Sequence, residues 1–197
     1  METVEIKGGV LEYIDETHTY LYDGIILPSI TQLLKAKFGS KYNNIPKQTL
    51  ERAAMQGTAV HQAIEDYEQQ NIETDLPELY GYKSLKEEYQ FECVGNEVPV
   101  VLFKDGEAVA CGRLDLVLRE GDEIGLGDIK RTYSLDKNYL AYQLNLYRIA
   151  YQQCYGQEIS FLRGLHLREE KRKYVSLPIN ENLVSEILEQ YETENEI

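Results

Sequence analysis

The sequence predicts an α/β domain opened by a small β-meander. Three observations carry this. Residues 10–27 and 92–130 alternate apolar and polar side chains around turn signals, which is the period of half-buried strands. Residues 47–71, 77–90 and 136–155 carry apolar positions at helical spacing. At 197 residues the chain has the length of one domain, 1–197, with a sound core.

The meander is VLEYIDETHTYLYDGIIL, with Asp23-Gly24 as a hairpin turn, and it occupies residues 1–28. Pro28-Ser29-Ile30-Thr31 then opens a helix, Ser29 being the cap and Leu33-Leu34 the inward face. A loop containing Gly39-Ser40 and Asn43-Asn44 runs to Pro46. On the helix from Lys47 to about Asn71, Gly57, His61 and Glu65 lie four apart on one face. Ala53 and Ala54 keep that face small, as if for close approach to another element. Gly57 costs about 1 kcal/mol in mid-helix and asks for a packing reason. In the helix over 77–90, Leu79, Tyr82, Leu85 and Tyr89 form a core stripe.

Three antiparallel strands follow, about 97–103, 108–118 and 123–130, turned by Asp105-Gly106 and by Glu120-Gly121-Asp122. The polar link Arg131-Thr132-Tyr133-Ser134 leads into the helix over 136–155, stopped by Gly156. Gln143 and Tyr147 share a face of it with Leu140, Leu144 and Tyr151, so Gln143 is expected buried and bonded. A hairpin over 158–168 and 172–178 extends the sheet. An acidic helix from Glu181 to about Tyr191 closes the chain over 180–197, with a frayed end beyond it.

Composition narrows the function classes. No apolar run reaches membrane-spanning length, and METVEIKGGV lacks the layout of a secretory signal, so the expectation is a cytoplasmic protein with no membrane partner. Cys93, Cys111 and Cys154 are odd in number and scattered, a poor basis for zinc or disulfides. A net charge of −14 opposes nucleic-acid binding through a general positive field. The charge is uneven, however: residues 30–52 sum to +4, while 130–148 and 163–173 sum to +3 each. Such segments serve as solvated surface or as a local nucleic-acid track.

The chemistry concentrates in residues 111–130, CGRLDLVLREGDEIGLGDIK. Asp115 interrupts one apolar strand, and Asp128 and Lys130 share a face of the next, with Ile129 on the other. Buried charges need a partner, a metal or a substrate. Asp115 and Asp128 with the Ile129 carbonyl would suit Mg²⁺ or Mn²⁺, and Lys130 would steady a phosphate or the attacking water. The plain alternative is a cross-strand ion pair between Asp115 and Lys130. For His61 it is a core histidine bonded to backbone.

Read together, Gly57-Thr58-Ala59-Val60-His61, Gly112-Arg113-Leu114-Asp115, Asp128-Ile129-Lys130 and Gln143-Leu144-Asn145-Leu146-Tyr147 resemble the four ordered motifs of the PD-(D/E)XK nuclease superfamily, in its RecB-like and phage-type exonuclease branch. His18-Thr19-Tyr20, Asp23-Gly24 and Leu27-Pro28-Ser29-Ile30-Thr31 are similar to the opening of phage-borne members, so the likeness spans about residues 18–155. The resemblance implies a restriction-endonuclease-like core, a mixed central sheet flanked by helices. It implies a Mg²⁺-dependent deoxyribonuclease, an exonuclease of phage or prophage recombination or repair. Asp115 and Asp128 would bind metal, Lys130 would be the catalytic lysine and His61 a further ligand. Gln143 and Tyr147 would line the site or contact DNA, with Arg131 and Lys137 beside them. Glu65 and Glu97 lie outside the motifs and are accessory acids at most. The three cysteines cannot hold the four-cysteine iron–sulfur cluster of some members. DNA is the implied partner, a single-strand annealing or recombination protein a companion, and a homo-oligomer such as a ring-like trimer the assembly seen in some phage exonucleases. A bacterial or phage-infected cell is the implied setting. A structure-specific or restriction-type endonuclease, or a non-catalytic nucleic-acid-binding subunit, are the alternatives on this fold.

Overall fold

A computed structural model describes residues 2–14, 17–39 and 45–195. The loop expected around Ser40, Asn43 and Asn44, and Lys41 of the first basic segment, lie outside the described residues.

Two sheets share the chain. The first is antiparallel, in the order β1 (Glu2–Ile6), β2 (Gly9–Ile14), β3 (Thr19–Tyr22) and β4 (Ile25–Leu27). The expected meander is therefore one strand longer than the alternation shows. β1 pairs with β2 through a turn at Lys7-Gly8 (φ 50° and 84°). These are the two left-handed residues of a tight hairpin, but Lys-Gly is a weaker sequence signal than Asp-Gly. Two short helices follow, α1 (Ile30–Leu33) and α2 (Lys35–Phe38). The cap at Ser29 is as expected: its hydroxyl accepts the Gln32 N–H, and the Gln32 side chain accepts the Ser29 N–H in return.

The second sheet is mixed. β5 (Phe91–Lys104), β6 (Glu107–Glu120) and β7 (Glu123–Lys130) are antiparallel. β8 (Phe161–Arg168) runs parallel to β7, and β9 (Lys171–Leu177) closes the order β5-β6-β7-β8-β9. The parallel pair follows from the connection, because α5 (Lys137–Tyr155) carries the chain back across the sheet before β8 begins. One sheet face packs on α1, α5 and α6 (Glu181–Asn195), through Val100, Leu102, Val117, Leu126, Leu140 and Leu144. The other packs on α3 (Lys47–Gln70) and α4 (Pro77–Tyr89), through Ile64, Tyr82, Leu116, Leu118, Ile129 and Leu165. The helix-flanked mixed sheet expected for the chain is what forms. The N-terminal sheet sits against β5 and β6, where Ile6 and Leu11 meet Val101 and Cys111.

Three local expectations need correction. Only the second half of α3 packs: Val60, Ala63 and Ile64 are buried, while Ala53 and Ala54 are exposed. A Cβ at Gly57 would meet nothing within 4 Å, so the small face approaches no element and Gly57 has no packing reason. Tyr89 is 45% exposed and lies beside Tyr174 at the margin of the core stripe. The last helix continues to Asn195 instead of fraying after Tyr191. No helix among the described residues is long and apolar enough to cross a membrane.

Candidate metal and catalytic site

The site forms where β6 and β7 part. Their ladder ends at the pair Leu116–Gly127. One step further along the register, Asp115 and Asp128 stand opposite each other with no backbone pair between them. β7 continues alone beside β8, through Asp128–Gly164 and Lys130–His166. The Ile129 N–H, left without a strand partner on the β6 side, donates to Asp115 Oδ2 at 2.7 Å. Asp115 thus caps the end of the ladder.

Asp128 and Lys130 face α5, and Ile129 faces α3 and α4, as the two-residue period requires. Asp128 is 2% exposed. Gln143 Nε2 donates to its Oδ1 at 2.8 Å, and Lys130 Nζ stands 2.5 Å from its Oδ2. The expected burial and bonding of Gln143 are both present. Lys130 therefore pairs with Asp128 along its own strand, not with Asp115 across the hairpin. Burial lifts the Asp128 carboxyl to about 6, Asp115 adding to the rise while Lys130 and His61 oppose it. Burial alone would lower the Lys130 ammonium, but Asp128 and Asp115 outweigh it and raise it.

His61 comes in from α3. Its Nε2 donates to the Ile129 carbonyl at 3.2 Å, since a carbonyl can only accept. Its Nδ1 lies 3.5 Å from Glu97 Oε1 and 3.7 Å from Asp115 Oδ1. Burial would push the imidazole down, yet Asp115, Glu97 and Asp128 together hold it up at about 9. Glu97 is the residue that the motifs do not mark. It sits on β5 between the pairs Asn96–Leu116 and Val98–Leu114, hence across from Asp115. Its backbone is left-handed, φ 49°, a strained conformation for a glutamate inside a strand. Arg113 Nε lies 3.6 Å from its other oxygen and also reaches Glu2. Glu65, one turn beyond His61, stands behind Glu97, and burial followed by the Glu97 charge raises its carboxyl.

One ligand atom each from His61, Glu97 and Asp115 lie within 4.8 Å of one another, the group of this kind found among the described residues. Octahedral ligands at ~2.1 Å from an ion stand ~3 Å apart when adjacent and ~4.2 Å when opposite. The 3.5 and 3.7 Å separations fall in that window. Two carboxylates and one imidazole suit Mn²⁺ or Mg²⁺, the nitrogen favouring the former. The donor set differs from the expected one in two ways. Asp128 has both oxygens engaged by Gln143 and Lys130, and Glu97 takes its place beside Asp115. The Ile129 carbonyl lies at the far nitrogen of the His61 ring. It fixes the ring with Nδ1 facing the carboxylates, as outer partners of ligating histidines do, and lies away from the other donors.

Tyr147 is 5% exposed, a placement that fits the first of its two expected roles, lining the site, rather than an open contact surface. It forms a floor. A Cβ on Gly112 would lie 2.9 Å from its hydroxyl and 3.0 Å from Cε1, which accounts for the glycine three residues before Asp115. Gly112→Ala is expected to destabilise the protein by about 1–3 kcal/mol, because the buried ring has nowhere to move. Denaturant unfolding measures this, and unchanged stability would refute the packing role.

Beside Lys130 a cavity of about 550 Å³ opens between α3, the β7–α5 link and the end of β8. Arg52, Lys130, Arg131 and Arg168 line it against one acid, Asp136. Arg131 is tied down there by Glu78 and Gln56, both at 2.7 Å. Lys137 is exposed on the first turn of α5 and does not line the cavity. Of the remaining basic residues of the three segments, Lys37 pairs with Glu186, Lys47 with Glu51 and Arg163 with Glu120, and Arg148 is buried near Glu181, while Lys35, Lys137, Lys171, Arg172 and Lys173 are exposed.

No family model and no curated protein matches the sequence. Among solved structures the chain is similar to the crystal structure of SSO0001, at 16% identity over 82% of this chain and 72% of that one, with a TM-score of 0.46.

Proposed function

We propose that the chain is a metal-dependent deoxyribonuclease of the PD-(D/E)XK type, an exonuclease of the RecB-like and phage branch. The reading is supported above all by the convergence of His61, Asp115, Asp128, Lys130 and Gln143, from four separate stretches of sequence, around the point where two strands part. His61, Glu97 and Asp115 would hold Mn²⁺ or Mg²⁺. When bound, the ion would supply positive charge at the scissile phosphate and lower the pKa of a water.

The protein's own groups divide the remaining work. Lys130, kept protonated by Asp128 and Asp115, donates to a non-bridging phosphate oxygen and cannot itself take a proton from water. Asp128, its two oxygens bonded to Gln143 and Lys130, holds that lysine in place and charged, and the proton of the attacking water passes to solvent. Water adds to phosphorus, the bond to the leaving oxygen breaks, and solvent protonates the leaving group. Gln143 keeps Asp128 oriented, and the His61–Ile129 bond keeps the imidazole aimed.

The test is degradation of linear DNA, single-stranded and duplex, by the purified protein with Mn²⁺ or Mg²⁺, compared with covalently closed plasmid. The expected result is loss of linear substrate while the closed circle survives. Nicking or linearisation of the plasmid would make the enzyme an endonuclease. Linear strands, linear duplex and plasmid all intact with both metals would end the nuclease reading.

A further inference from the structure

Tyr133 is 84% exposed, on the link between Lys130 and α5. A lone exposed tyrosine is ordinary surface. This one has three further properties. The Arg168 guanidinium, from the end of β8, lies over its ring at 5.2 Å from the centroid. Its backbone is held on both sides: Thr132 donates from its hydroxyl to the Ser134 carbonyl at 2.9 Å, and His166 Nε2 donates to the Thr132 carbonyl at 2.7 Å. And Tyr133 and Arg168 both line the cavity that holds Lys130. An aromatic face fixed in advance, backed by a cation and set beside the catalytic lysine, loses little freedom when a flat ligand stacks on it.

The open aromatic face selects the ligand. In a duplex the bases stack on one another and their faces are not offered to a side-chain ring, whereas a single strand can lay its phosphates toward Arg52, Lys130 and Arg168 and a base against the Tyr133 ring. In a chain of net charge −14 this cationic cavity is a local exception, which limits the length of strand it attracts.

We propose that Tyr133, backed by Arg168, is a base-stacking platform that makes single-stranded DNA the substrate taken into the Lys130 cavity. The proposal rests on the nuclease reading for its biological meaning, but it concerns binding and is tested without metal. Fluorescence anisotropy in EDTA at low salt compares a labelled 12-nucleotide oligo-dT, an abasic phosphodiester chain of the same length and a blunt hairpin duplex. Stacking of one base should make the wild type bind oligo-dT about 5- to 100-fold more tightly than the abasic chain. Tyr133→Ala should lose that preference and Tyr133→Phe should keep it. The duplex should bind more weakly than oligo-dT. Since the side chain stands in solvent, the thermal unfolding of Tyr133→Ala should match the wild type.

Equal oligo-dT affinity for wild type and Tyr133→Ala would overturn the platform. So would duplex binding as tight as oligo-dT, or no oligo-dT binding at all. A wild type that shows the Tyr133-dependent preference yet cleaves no DNA with Mn²⁺ or Mg²⁺ would uphold the platform and remove the nuclease reading alone.

Discussion

Lys130→Ala is expected to lower metal-dependent DNA cleavage by about 10²–10³-fold or more, the loss seen when one preorganised donor to a developing charge is removed. Lys130 is placed for this by its strand. The two-residue period sets it on the Asp128 face, and its side chain, 24% exposed, lines the cavity. Lys130→Arg should rescue poorly, because the planar fork cannot occupy a pocket shaped by Asp128 around a point charge. A stability measurement separates chemistry from folding. The Asp128 carboxyl is raised above its ordinary value by burial, so the folded state holds a proton there that the unfolded chain has released. The Asp128 contribution to stability is therefore lost as pH rises from about 4 through about 6, and is level above that. Without Lys130, which lowers Asp128, the loss must extend to higher pH. Unfolding in EDTA should show wild type and Lys130→Ala closer at pH 5 than at pH 8, with the variant less stable at pH 8. Equal cleavage by the two proteins would remove Lys130 from the mechanism.

The part of this site carried by local rules was legible in the sequence. Two-residue alternation put Asp128 and Lys130 on one face, and helical spacing put Gln143 and Tyr147 on another that turned out to be buried. Glu97 was not legible, for a physical reason. Counting back along the hairpin from Asp105-Gly106 sets Glu97 opposite Leu114. A bulge between Leu102 and Phe103 shifts the partner to Asp115, and the left-handed backbone then aims the carboxylate at His61. Bulges obey tertiary packing and leave no reliable mark in composition. The parallel β7–β8 pairing was also hidden, since periodicity gives a strand but not its direction. Gly57 misled in the opposite way. Its spacing from His61 suggested a contact, but no described atom lies within 4 Å of a Cβ at that position, and the first half of α3 reaches the rest of the site through Gln56 and Arg131 instead.

Manganese affinity is expected to rise about tenfold per pH unit from pH 7 to pH 9 and to level off above, because His61 binds only as the free base and its proton leaves near 9. The gain across this range is about 100-fold. Calorimetry in two buffers of different ionisation heat should count about one proton released per ion at pH 7, and none near pH 10. With three histidines in the chain, the His61 resonance can be assigned by its loss in His61→Ala. That variant should bind more weakly and without the pH slope. Asp115→Asn probes the cause. Of the charges that raise His61, Asp115 is the strongest, and burial, which lowers it, stays in place. The titration of His61 should move down and the pH window of binding with it, while the loss of a ligand weakens binding throughout. Stability must follow the same linkage with opposite signs. In EDTA the raised histidine stabilises the fold fully below about 6.5, and this contribution is lost as pH rises through about 9. With saturating Mn²⁺ the added stability grows over that interval, since the ion and the proton compete for Nδ1. Parallel curves with and without the ion would mean that His61 and the metal do not share a site.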